Sequence, residues 1–185
     1  LDLYLSKCRG GVSDPADPRR VNMFFRNNGD GSYSNVAPAL GMAFGEQSWA
    51  ADFADIDNDG DLDCFVGNHS DPSIVMRNNG NGTFTDRTAA SGVNVNWRVI
   101  QTVFRDFNND AWVDLLLVGD KHELWLNDRD GTFTLTANPL GSLPIETCAV
   151  GDLNRDGFTD VYAGYGRVYN TPRSERPDKL LLASP

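Results

Sequence analysis

Short apolar segments and acidic, glycine-punctuated turns alternate along the whole chain. Trp49-Ala50-Ala51-Asp52-Phe53 and Val99-Ile100-Gln101-Thr102-Val103-Phe104 precede acidic turns, and 62–66, 113–118 and 161–163 follow them. Segments this short, rich in β-branched and aromatic residues, predict strands rather than helices. Gly67, Gly119 and Gly164 are expected to close the second strand of each pair. A second turn type then recurs: Arg26-Asn27-Asn28-Gly29-Asp30-Gly31, Arg77-Asn78-Asn79-Gly80-Asn81-Gly82 and Leu126-Asn127-Asp128-Arg129-Asp130-Gly131. Asn and Gly tolerate positive φ, so these runs read as hairpin turns. The leading Asn advances by 51 and then 49 residues, and Gly41, Gly92 and Gly141 end each unit at the same spacing. A degenerate fourth copy is expected at Val168-Tyr169-Asn170. Each unit thus holds four short strands, and repeated four-stranded units of this length are the blades of an all-β propeller. The blades read as 42–92, 93–141 and 142–185, with 1–41 an incomplete one.

The acidic turns share one rhythm. They are Asp55-Ile56-Asp57-Asn58-Asp59-Gly60-Asp61-Leu62-Asp63, Asp106-Phe107-Asn108-Asn109-Asp110-Ala111-Trp112-Val113-Asp114 and Asp152-Leu153-Asn154-Arg155-Asp156-Gly157-Phe158-Thr159-Asp160. Each has Asp or Asn at positions 1, 3 and 5 and Asp at 9. Carboxylates crowded this closely repel one another unless a cation sits among them, and hard oxygens in a flexible loop suit Ca²⁺. The expected ligands are the side chains of 1, 3, 5 and 9, the carbonyl of 7 (Asp61, Trp112, Phe158), and water. An EF-hand is excluded, because its bidentate Glu at position 12 is replaced by Val66, Leu117 and Ala163 and its flanking helices by strands.

The hairpin followed by an Arg-Asn-Asn-Gly-Asp-Gly turn resembles the FG-GAP/VCBS repeat, which builds the propeller heads of integrin α chains and many bacterial surface proteins. Phe25-Arg26-Asn27-Asn28-Gly29-Asp30-Gly31 and Asn35-Val36-Ala37-Pro38-Ala39-Leu40-Gly41 are most similar to the cartilage acidic protein/ASPIC/UnbV branch. The resemblance covers essentially the whole chain. It implies a propeller, usually seven-bladed, with Ca²⁺ in the hairpin joining the first two strands of a blade. Two departures stand out: Ala111 replaces the expected glycine at position 6, where φ is often positive, and Asn108 and Asn154 lower the ligand charge.

Leu1-Asp2-Leu3-Tyr4-Leu5 matches Leu62-Asp63-Cys64-Phe65-Val66, which makes Asp2 position 9 of a truncated calcium loop. Propellers need about four to eight blades to close, so the chain is expected to be a fragment whose parent supplies the remaining blades. With 40% hydrophobic and 23% charged residues the chain has the composition of a folded domain. A net charge of −10 argues against nucleic acid or an anionic membrane as partner, and no apolar run is long enough to insert in one. Loops that bind calcium weakly stay filled where the ion is plentiful, which points to an extracellular, secreted or cell-surface protein, or to the periplasm.

His69 and His122 fall just past second strands, as solvated loop residues with no nucleophile motif, and no catalytic residue is expected. Trp112 and Trp125 are expected to pack, whereas Trp49 and Trp97, near the starts of first strands, are candidates for stacking on a ligand. Cys64 and Cys148 read as buried thiols, and Cys8 lies in a polar loop. Asn68 and Asn81 begin glycosylation sequons, the latter also a turn residue. The irregular stretch 6–22, locally basic at Arg19 and Arg20, is a candidate partner surface, and 171–179 is a similar insertion before a closing strand Leu180-Leu181-Leu182. The expected function is a calcium-stabilised adhesion scaffold presenting propeller loops to a protein or glycan. The alternatives are the propeller part of a carbohydrate-active lyase or dehydratase and a structural subunit of a surface layer or filament.

Overall fold

The computed structural model describes residues 1–136, 140–141, 145–165 and 178–184. The strands are β1 (Leu3–Leu5), β2 (Met23–Asn27), β3 (Tyr33–Asn35), β4 (Ser48–Ala54), β5 (Asp63–Asn68), β6 (Ile74–Asn78), β7 (Phe84–Asp86), β8 (Val99–Arg105), β9 (Asp114–Gly119), β10 (His122–Asn127), β11 (Phe133–Leu135), β12 (Ile145–Gly151), β13 (Asp160–Tyr165) and β14 (Lys179–Leu181). They form four antiparallel sheets in the orders β1-β2-β3, β4-β5-β6-β7, β8-β9-β10-β11 and β12-β13-β14. The architecture is all-β and built of propeller blades, with each chain reversal made between neighbouring strands.

The blades pack face to face, and their seams are the core. Tyr4 and Phe24 of the first blade meet Phe53, Cys64 and Val66 of the second. Phe65 and Val75 meet Val99, Leu115 and Leu117 of the third. Leu116 and Val118 meet Ile145, Cys148, Val161 and Ala163 of the fourth. Strand β9 therefore sends Leu115 and Leu117 into one seam and Leu116 and Val118 into the next. This two-sided burial is why the segment is continuously apolar rather than alternating. Each buried Leu contributes about 1.5–3 kcal/mol relative to exposure, so seam packing dominates the stability of the array.

Three features differ from the expectations. The glycines do not simply close strands: the first strands of the second, third and fourth blades carry a register shift, at Ser48/Ala50, Val99/Gln101 and Ile145/Thr147, opposite Gly67, Gly119 and Gly164. A Cβ on Gly67 would lie 2.7 Å from Val99 Cγ1, and one on Gly119 2.0 Å from the Arg98 carbonyl. Glycine is required at both places, at Gly67 by Val99 of the next blade and at Gly119 by the backbone of the paired strand. Short helices α1 (Ala37–Leu40) and α2 (Thr88–Ser91) end the first two units, and Gly41 (φ 75°) and Gly92 (φ 79°) cap them in the left-handed conformation. Finally, the closing strand expected at 180–182 is present one residue earlier, as the third strand of its blade. β14 pairs with β13, Val161 opposite Leu181. The turn expected at 168–170 and the insertion 171–177 lie outside the described residues.

The stretch 6–22 is anchored at Arg20 and Asn22, while most of its residues remain exposed. Arg20, 7% exposed, donates to the carbonyls of Val12 and Ser13. Arg19 pairs with Asp17 at 2.6 Å. Gln47 bonds Arg9 through both amide atoms, the Arg9 carbonyl accepting at 2.9 Å. Pro15 sits against Gly45 so closely that a side chain there would collide with its carbonyl. Arg20 is spent on the segment's own carbonyls, with Asp71 of the second blade 3.6 Å away, whereas Arg19 stays exposed beside Asp17.

Candidate metal-binding loops

The acidic hairpins join β4 to β5, β8 to β9 and β12 to β13, all at the same end of their blades. Tight reversal needs left-handed backbone at position 4 (Asn58 φ 56°, Asn109 φ 60°, Arg155 φ 65°) and at position 6 (Gly60 φ 94°, Ala111 φ 68°, Gly157 φ 89°). Ala111 adopts the conformation its glycine counterparts adopt, so the strain expected there is present.

One hydrogen-bond scheme recurs in all three. The position 1 carboxylate accepts the N–H groups of positions 5 and 6: Asp59 and Gly60 on Asp55 (3.0 and 2.9 Å), Asp110 and Ala111 on Asp106 (3.2 and 2.8 Å), Asp156 and Gly157 on Asp152 (both 3.0 Å). Position 5 accepts the N–H of position 7 on Oδ1: Asp61 on Asp59, Trp112 on Asp110, Phe158 on Asp156. Position 9 accepts the N–H of position 2 on Oδ2: Ile56 on Asp63, Phe107 on Asp114, Leu153 on Asp160. These side-chain-to-backbone bonds shape the loop before any ion is considered.

Position 9 does more. Its Oδ1 accepts the N–H of the asparagine that opens the second turn type: Asn78 on Asp63 (2.7 Å), Asn127 on Asp114 (2.9 Å) and Asn27 on Asp2 (2.9 Å). The two landmarks of the repeat are thus halves of one device, in which a carboxylate ties the acidic hairpin to the neighbouring turn. In the fourth blade Ala183 donates to Asp160 at 2.9 Å, making the bond that the recurring asparagine makes elsewhere.

Charge differs among the loops. In the first, Asp55, Asp57 and Asp63 offer oxygens all within 4.8 Å of one another, the one such cluster of three among the described residues. Asp57 Oδ1 is buried without a partner. Burial pushes the Asp63 carboxyl up to about 6, against the two N–H bonds that pull it down, and raises Asp57 and Asp114 as well. The bond from Asp61 N–H holds Asp59 below the usual range, helped by Arg77; the Trp112 N–H does the same for Asp110. In the second and third loops the position 3 asparagines donate to position 5, Asn108 to Asp110 at 3.2 Å and Asn154 to Asp156 at 2.9 Å. Two residues that the sequence pattern did not single out complete the picture: Arg77 contacts Asp57 (2.7 Å) and Asp59 (3.2 Å), and Arg129 contacts Asp110 (3.0 Å). Arg77 heads the recurring turn as Arg26 does, but spacing does not show that either Arg77 or Arg129 reaches a carboxylate across the blade.

At the opposite strand ends, Trp49 is 42% exposed, stacks on His69 at 4.5 Å, and has the Arg98 guanidinium 5.9 Å from its ring. Arg98 also pairs with Asp120 at 2.6 Å. Trp97 is not an open platform: its indole N–H and that of Trp125 both donate to Glu123, at 3.2 and 3.1 Å. His122 is no solvated loop residue either; it is 4% exposed and begins β10, with Nε2 accepting from the Ile145 N–H. Cys64 and Cys148 are buried and Cys8 exposed. Asn68 is buried with its amide bonded to Pro72 and Ser48, which removes it as a glycan acceptor in the folded chain, and Asn81 caps Thr83 in its turn.

Cartilage acidic protein 1 of Mus musculus is 29% identical over 135 residues, covering 64% of this chain and 21% of that protein, so the chain spans about a fifth of that relative's length. The FG-GAP-like repeat matches residues 2–66, 55–117 and 106–163. Each match closes on the strand that follows an acidic hairpin, so the repeating unit of the alignment is the repeating unit of the fold. The chain belongs to the FG-GAP-like repeat family.

Proposed function

We propose that this chain is a calcium-rigidified, non-enzymatic ligand-binding scaffold of the extracellular space. The reading is carried by the first loop, where the carboxylates of Asp55, Asp57 and Asp63 converge within 4.8 Å and Asp57 keeps a buried, unpartnered oxygen. Hard oxygens gathered at such cost suit a divalent cation of flexible coordination. Asp55, Asp57, Asp59 and Asp63 with the Asp61 carbonyl hold the first ion. Asp106, Asn108, Asp110 and Asp114 with the Trp112 carbonyl hold the second, and Asp152, Asn154, Asp156 and Asp160 with the Phe158 carbonyl the third. Asp2 is the last ligand of a fourth. When bound, calcium neutralises the acidic corners, while the hydrogen-bond scheme positions the ligand oxygens.

The ligand-facing end is the one opposite these loops, around Trp49, Arg98 and Asp120, and the partner is a protein or a glycan. A non-enzymatic role is favoured by the histidines: His122 is locked into β10, and His69, although 2.7 Å from Ser70 Oγ, is stacked on Trp49 in an exposed loop. No helix among the described residues is long and apolar enough to cross a membrane. The deciding experiment is thermal unfolding in chelator and in calcium: an ion at a hundredfold excess over its Kd adds about 2.7 kcal/mol per site. Identical melting curves in the two conditions would refute the metal reading.

A further inference from the structure

We propose that Arg77 and Arg129 are resident counter-ions of the first and second loops, which an incoming divalent cation must displace, so that these two arginines set the metal threshold of each loop. The inference rests on the calcium reading above and adds what competes with the ion. In every loop the position 5 carboxylate spends Oδ1 on the N–H of position 7, leaving Oδ2 as its ligand oxygen. It is this oxygen that the guanidinium takes: Asp59 Oδ2 from Arg77 at 3.2 Å, and Asp110 Oδ2 from Arg129 at 3.0 Å, with Arg129 Nε a further donor at 3.2 Å. Arg77 also holds Asp57 Oδ2 at 2.7 Å.

The two arginines reach equivalent atoms from unrelated places. Arg77 sits on β6, where strand register puts Leu126 and Leu182 in the third and fourth blades. Arg129 sits in a turn, where Gly29 and Gly80 stand in the first two blades, and it keeps their left-handed backbone at φ 69°. A side chain tolerated in that conformation and aimed at an acidic corner is not random surface decoration. In the third loop, Asp156 Oδ2 accepts the Asn154 amide, and no guanidinium among the described residues competes for it.

The test follows calcium titration by the backbone amide signals of Gly60, Ala111 and Gly157, one reporter per loop, in the wild type and in Arg77→Leu and Arg129→Gly. Both substitutions install residues that other blades carry at these places, so folding is expected to survive. Arg77→Leu should lower the calcium midpoint of the first loop about tenfold, the order expected for losing a competing ion pair and a like charge beside the ion. Arg129→Gly should do so for the second loop alone, and the third should not move in either. Arg87→Gln, which removes an equal charge from the same cavity beside Asp57, should shift the first loop far less. A second readout needs no affinity: the Arg77 guanidinium signals should sharpen as calcium releases the side chain. Unchanged midpoints in both variants, or equal shifts with Arg87→Gln, would overturn the proposal while leaving calcium binding intact. No titration in any protein would instead remove the calcium reading on which it rests.

Discussion

Replacing Asp63 with asparagine should have an effect whose sign depends on calcium. The residue is 1% exposed, and burial raises its carboxyl from an ordinary 3.8 to about 6. That gap corresponds to about 3 kcal/mol of destabilisation at neutral pH in the metal-free protein. The folded carboxyl keeps its proton to about pH 6, whereas the unfolded one loses it near 4. Between those values the native state binds more protons, so stability falls as pH rises through the window. Asparagine mimics the protonated side chain, retaining one acceptor for the Ile56 or Asn78 N–H. Asp63→Asn should therefore match the wild type near pH 4 and exceed it by about 3 kcal/mol at pH 7 without metal. In saturating calcium it should fall below the wild type, because the ion loses a charged ligand. Urea unfolding of metal-free and calcium-loaded protein across pH 4–7 measures all three arms, and subtracting the two proteins cancels the other titrating aspartates. A wild type that gains stability over Asp63→Asn as metal-free samples are brought to pH 7 would show that the bracket of N–H bonds already outweighs the cost of burial, and the reasoning would fail.

Asp114→Ala, by contrast, removes the acceptor of two N–H groups, from Phe107 and Asn127, and should destabilise even metal-free protein by about 2–4 kcal/mol in chemical unfolding. Ala111→Gly relieves the φ of 68° and should raise stability by up to about 1 kcal/mol, seen as a higher Tm with an unchanged second-loop calcium midpoint. Arg20→Ala frees the stretch 6–22 from its buried anchor and should open it to limited proteolysis while the blades stay protected. Trp49→Ala should abolish partner capture with little loss of stability, since the ring is already 42% exposed.

The blade architecture was legible because its signals are local. Strand length, Asn-Gly turns and the spacing of 27, 78 and 127 all act within one hairpin. What the sequence concealed is what depends on contacts made only in the folded chain. Gly67 reads as a strand end, but its requirement comes from Val99 of the next unit. Arg20 read as surface charge, yet its partners are carbonyls brought in by a fold of the same loop. His122 reads as a loop residue because the reversal between β9 and β10 is too tight for the pattern to separate the strands. The role of Ala183 is equally hidden: it carries no side-chain signal, and only the backbone bond to Asp160 identifies its place.

That bond also explains why the repeat tolerates such uneven lengths. The asparagine that closes on position 9 lies 15 residues after Asp63, 13 after Asp114 and 25 after Asp2. Whatever is inserted between the second and third strands, the return strand is brought to one carboxylate whose other oxygen already fixes the hairpin. A long insertion costs only a slowly growing closure entropy, while the bracket is a short-range bond that does not sense it. A divalent cation on the same carboxylate would therefore tighten both the acidic corner and the strand register at once. Loss of the ion should loosen the third strand of a blade as well as its hairpin, which hydrogen exchange at Asn78 and Asn127 in chelator would reveal before any global unfolding.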